Sequence, residues 1–80
     1  MELLKDMPHT AGLRTTLRAI ESGKAAKVFI AQDADVFVRR RAQEAPNSQS
    51  VPYEYVPTMK ELGDCCGLAI KTACAALLKA

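Results

Sequence analysis

The sequence predicts an α/β fold layered around a small, largely parallel sheet. Three observations carry that expectation. Segments with helical spacing of apolar residues alternate with apolar runs, in the order helix, strand, helix, strand, helix, tail. The run "KVFIA", residues 27–31, is rich in β-branched and aromatic residues and reads as a strand buried on both faces. Turn and cap residues punctuate the alternation. With 80 residues the chain is expected to form one domain spanning 1–80. No tryptophan is present, so its modest core must be mostly aliphatic.

The first helix is read from "LRTTLRAIESG". Leu13, Leu17 and Ile20 fall at i, i+4 and i+7, which is one helical face. Thr10 can cap its start and Gly23 stops it. The strand "KVFIA" follows. "DADVFVRRRAQEA" is a short helix that Asp33 or Asp35 can cap, with Val36 turned inward. "PNSQS" has turn chemistry, and "PYEYV" is a second strand. In "TMKELGDCCG", Thr58 and Glu61 have capping-box spacing and Gly67 ends the helix. The tail "LAIKTACAALLKA" is ambiguous. Alanine and leucine favour helix, yet a short buried strand has the same composition.

The formal net charge is +2, too small to demand a polyanion by itself. The charge is unevenly spread. Residues 1–41 hold eight basic groups against five acidic ones, and residues 42–80 hold three against four. A polyanion would therefore dock on the first half. No apolar run approaches the roughly 18 residues of a membrane span. "MELLKDMPHT" lacks the pattern of a signal peptide. A cytoplasmic location is expected, where three cysteines argue against a disulfide framework.

The neighbours Cys65 and Cys66, with Cys74, raise the question of thiol or metal chemistry. Zinc takes about four ligands, usually with CxxC-type spacing. Adjacent helical residues point about 100° apart and cannot both reach one ion. The cysteines therefore read as small apolar packing residues, and no metal or cofactor is expected. His9 is the only histidine, in a stretch expected to be exposed. No serine, cysteine or carboxylate has an evident partner for acid–base or nucleophilic work, so no enzyme is expected. Gly12 and Gly23 lack the spacing of a nucleotide phosphate loop.

Two elements suggest binding instead. Arg14 and Arg18 share a face of the first helix, with Thr15 beside them and Leu13, Leu17 and Ile20 on the other side. Gly12 lets a ligand approach the helix start, whose N–H groups favour an anion. Arginine forks fit phosphates or guanine edges. In the run Arg39–Arg41 three charges point three ways, which makes most of it a solvated surface. The second element is the apolar stretch after Gly67: Leu68, Ala69 and Ile70. Such residues either enter the core or form a platform for an unstacked base.

"AGLRTTLRAIESGKAAKVFIAQDAD" followed by "VPYEYVPTMKELGDCCGLAI" resembles the ribosomal L-seven-Ae and L-thirty-e proteins, the kink-turn RNA binders, in their short bacterial form. The likeness runs from about Gly12 to the end of the chain. It implies a three-layer α-β-α sandwich with a four-stranded mixed sheet, in which "TACAALL" is a strand. It implies that Gly12, Arg14, Thr15 and Arg18 enter the widened groove of the kink beside sheared G·A pairs. Thr15 departs from the longer polar residues usual there. Gly67, Leu68, Ala69, Ile70 and Lys71 would cover a flipped base, which Asp35 also contacts, and Lys24 or Lys27 would add phosphate contacts. Val36 replaces the proline usual after "DAD", and Met59 stands where some members carry lysine. The implied partner is structured RNA with a kink-turn: ribosomal RNA, a riboswitch or another non-coding RNA. A monomer, possible ribosome association and no membrane partner are expected. The alternative is a protein-interaction or ribosome-assembly module of the same fold that has lost kink-turn specificity.

Overall fold

The computed structural model describes residues 4–79. The segment read for a signal pattern begins in residues 1–3, outside that range, and the tail ends outside it at Ala80. A short 3-10 turn, Leu4–Asp6, leads into β1 (His9–Ala11), α1 (Leu13–Glu21), β2 (Ala25–Ala31), α2 (Val36–Ser48), β3 (Tyr53–Val56), α3 (Met59–Cys65) and β4 (Cys74–Leu78). The strands form one four-stranded sheet in the order β1-β4-β2-β3.

The sheet is mixed, as the family likeness implies, and not largely parallel, as the alternation of elements alone suggests. Only β2 and β3 run parallel, while β4 lies antiparallel to both β1 and β2. The tail is thus a strand, as the family likeness implies and propensity alone would not. Cys74, Ala75 and Ala76 are completely buried, and burial between layers outweighs the intrinsic helix preference of alanine. The short β1 left no signal, because three residues are too few for a visible alternation.

Side chains alternate across β2 and divide the core. Val28 and Ile30 face Ile20 of α1 and Ala42 of α2. Phe29 and Ala31 face Leu62 and Cys66 at α3, with Leu4 and Val56. Two helices therefore cover one face and α3 covers the other, giving the α-β-α sandwich.

Main-chain bonds close the helix ends. After α1, Gly23 takes φ +72°, its N–H donates to Ile20 O at 3.1 Å, and Lys24 N–H donates to Ala19 O at 2.9 Å. Gly67 repeats this after α3, with bonds from Gly67 N to Asp64 O and from Leu68 N to Gly63 O. The expected turn at "PNSQS" is displaced, since α2 runs through the buried Pro46 to Ser48. Proline costs the helix one donor, but Pro46 lies in the last turn, where its carbonyl accepts from Val51 N at 2.8 Å.

Candidate nucleic-acid interface

Main-chain bonds gather three segments at one end of the sheet. Gly12 N–H donates to Cys74 O at 2.8 Å, joining the start of α1 to the start of β4. Ala31 N–H donates to Ala73 O, also at 2.8 Å, joining the end of β2 to the approach to β4. The 67–71 loop thus leads directly into the strand against which α1 begins. The turn at residues 32–35 leaves β2 at the same end. Asp33 caps α3 through its carboxylate, which accepts from Met59 N at 2.7 Å. Asp35 caps α2, accepting from Phe37 N at 2.9 Å. The two carboxylates that compete for one role in the sequence each serve a different helix.

Gly12, not Thr10, stands at the start of α1, with φ +95° and no side-chain cap. Thr10 lies in β1 instead. Without a side-chain cap, the first-turn N–H groups are left for a ligand. Arg14, Thr15 and Arg18 are all exposed. The Thr15 hydroxyl donates back to Ala11 O at 2.6 Å, so only its lone pairs face outward. Arg18 and Thr15 also border a hollow with Lys24 and Ser22 on the flank of α1.

Gly67, Leu68, Ala69, Ile70 and Lys71 are exposed, and Ile70 keeps 70% of its surface in solvent. An isoleucine so exposed is an unusual use of an apolar side chain. The loop is nevertheless anchored at both ends. Leu68 N–H bonds Gly63 O, and Thr72 N–H bonds Met59 O at 3.1 Å. Its closeness to α3 depends on Gly63, where a Cβ would stand 2.1 Å from Ile70 O. The signal for Gly63 in the sequence is its place as a lone glycine inside a helix, a recognised mark of close approach.

Several expectations shift. Lys27 is not with the other basic residues. It projects from the face of β2 that α3 covers, lies 5.3 Å from the Phe29 ring and pairs with Glu54 at 2.9 Å. Val36 does not turn inward but is 57% exposed. With Asp35 as the cap, the inward stripe of α2 falls on Ala42, Ala45 and Pro46. Leu17 is not fully inward either. The buried stripe of α1 is Thr16, Ala19 and Ile20, and Leu17 borders the groove towards α2 beside Arg14 and Arg18. His9 is half-buried on β1, with Nδ1 donating to Met7 O at 2.7 Å.

The cysteines sit in packing positions. Cys66 belongs to the α3-side core, and burial, then the neighbouring Cys65, pushes its thiol pKa up. Cys74 is completely buried under α1; desolvation raises its pKa to about 11, against a smaller lowering by the Thr16 hydroxyl. Cys65 is half-buried. Among the described residues, no three of His, Cys, Asp and Glu gather as metal ligands.

One end of the molecule therefore presents open amides, exposed arginine forks and an apolar loop. Those are groups for an anion that also carries unstacked rings. The same architecture occurs in solved structures. The 15.5 kD RNA-binding protein of Giardia lamblia superposes with a TM-score of 0.84 at 29% identity, over 90% of this chain and 61% of that one. A protein from Bacillus halodurans shares the fold with a TM-score of 0.81 at 18% identity, over 90% of this chain and 72% of that one. The chain belongs to the ribosomal protein L7Ae/L30e/S12e/Gadd45 family, which it matches over residues 4–80. Among its relatives, an RNA-binding protein of Geobacillus thermodenitrificans is 38% identical over 68 residues, 85% of this chain and 83% of that protein. An RNA-binding protein of Caldanaerobacter subterraneus is 40% identical over 65 residues, 81% of this chain and 79% of that one.

Proposed function

We propose that the protein is a non-enzymatic RNA-binding protein that recognises and stabilises kink-turns. The observation that best supports this is the junction of the uncapped start of α1 with the exposed 67–71 loop, through the bond from Gly12 N to Cys74 O. Arg14 and Arg18 would read groove edges and phosphates, and Leu68, Ala69 and Ile70 would cover the flipped base. Free RNA samples open and kinked forms. A protein that binds the kinked form better shifts the population without any chemical step. The target would be a kink in ribosomal RNA, a riboswitch or another non-coding RNA, bound by a monomer.

A second reading has one observation in its favour. The Thr15 hydroxyl is spent on Ala11 O, which weakens guanine recognition and suits a protein-interaction or ribosome-assembly module. Calorimetric titration at fixed salt separates the two. A standard kink-turn RNA should bind at least about tenfold more tightly than a control with both G·A pairs made Watson–Crick, a difference of about 1.4 kcal/mol. Equal, weak binding to both would leave only generic electrostatics and favour the protein-partner reading.

A further inference from the structure

Beside the start of α1 runs a groove of about 350 Å³ between α1 and α2, lined by Leu13, Arg14, Leu17, Arg18, Glu21 and Arg41. Arg41 is the unexpected member. It stands in a run of three arginines that the sequence presents as a solvated surface, yet α2 turns this one towards Arg14 and Arg18. Its guanidinium lies 5.8 Å from the ring of Phe37, one turn earlier on α2, which gives it a cation–π contact. Arg40 faces the other flank of α2, beside Val36, Gln43 and Tyr55.

Three arginines and one carboxylate, Glu21, line the groove, and none of the four is in an ion pair among the described residues. The ion pairs formed among the described residues are Lys27–Glu54 and Lys60–Asp64. Glu21 and Arg41 also border the continuation of the groove past Glu44, Ala45 and Ser48. Positive charge thus dominates beside the first turns of α1, where Arg14 and Arg18 stand, and the lining is mixed towards Glu21 and Glu44. The opening is shallow, which suits a strand of backbone better than an enclosed small molecule.

We infer that this groove is a second RNA contact, in which Arg41 joins Arg14 and Arg18 on one stretch of sugar–phosphate backbone. The inference rests on the RNA reading above and extends the footprint from α1 onto α2. Phe37 is a positioning residue that holds the Arg41 guanidinium over the groove.

The test is a salt-dependent titration of wild type, Arg41→Ala and Arg40→Ala. The RNA is a kink-turn whose flanking helices each extend about one turn, roughly ten base pairs. All three proteins are checked for equal thermal unfolding, which is expected because both positions are exposed. Arg41→Ala should bind roughly three- to tenfold more weakly, with a salt slope smaller by about one phosphate contact. Arg40→Ala should match wild type. Unchanged affinity and slope for Arg41→Ala would overturn the inference while leaving kink-turn recognition standing, and would point to a protein partner for the groove. An equal loss in both variants would overturn it too, as general electrostatics. If wild type itself fails to prefer the kink-turn over its G·A-free control, the functional reading fails first and takes this contact with it.

Discussion

Arg18 borders both the hollow on the outer flank of α1 and the groove towards α2. On the proposed reading it is the residue with most to lose. Replacing it with alanine should weaken kink-turn binding by about 1–3 kcal/mol if it reads a guanine edge. Undiminished affinity in the calorimeter would count against this docking mode. Cys74 offers a test independent of RNA. Its thiol stays neutral in the fold up to about pH 11, against an ordinary 9.0. Below about pH 9 the thiol is protonated whether the chain is folded or not, and the contribution to stability is full. Between about 9 and 11 the unfolded chain releases the proton and the folded chain does not, so stability falls as pH rises. The slope is about 1.4 kcal/mol per unit, or roughly 2–3 kcal/mol over the window. Denaturant titrations of Cys74→Ala should show a flatter alkaline decline than wild type. Parallel declines would refute the assignment.

At the scale of elements, the α3–loop unit hangs on one small residue. A methyl group on Gly63 would collide with the main chain of Ile70, which cannot swing aside as a flexible side chain could. Gly63→Ala should cost about 1–3 kcal/mol through forced backbone movement. It should also reduce binding of the proposed RNA, because the displaced segment carries Leu68 and Ile70. Thermal unfolding and titration of the same variant check both, and an unaltered midpoint would show that the loop yields freely. This contact also marks where sequence reading succeeds and fails. The three helices, β2 and β3 announce themselves through periodicity, caps and apolar runs. The caps of α3 are local and therefore legible: Thr58 Oγ1 accepts from Glu61 N at 3.1 Å, and Gly67 follows the helix. Thr10 looks like a cap in the sequence because its place in β1, against Ala76, depends on a partner 66 positions away. The groove arginines follow the same logic. Arg14 and Arg18 share a helix and are visible at i, i+4. Arg41 joins them only through α1–α2 packing, and its i, i+4 spacing from Phe37 is the one local trace of its position.

At the scale of the molecule, the sheet order sets the terms of folding. The strand latest in sequence, β4, lies between β1 and β2, and its removal severs the sheet. A chain ending at Thr72 should show no cooperative thermal transition by circular dichroism, and a sharp transition would contradict this dependence. The long-range pairing His9↔Leu77 carries the same message, since its loop-closure entropy is met only when both ends of the described chain are present. That arrangement has a consequence for the protein as it is made. During synthesis α1, β2 and α2 emerge seconds before residues 74–78, at the pace of a translating ribosome. Until then α1 has no Cys74 carbonyl to start against, and the arginines around it are scattered along a mobile chain. Until residues 74–78 emerge, the nascent chain therefore lacks the assembled surface that is proposed to meet RNA.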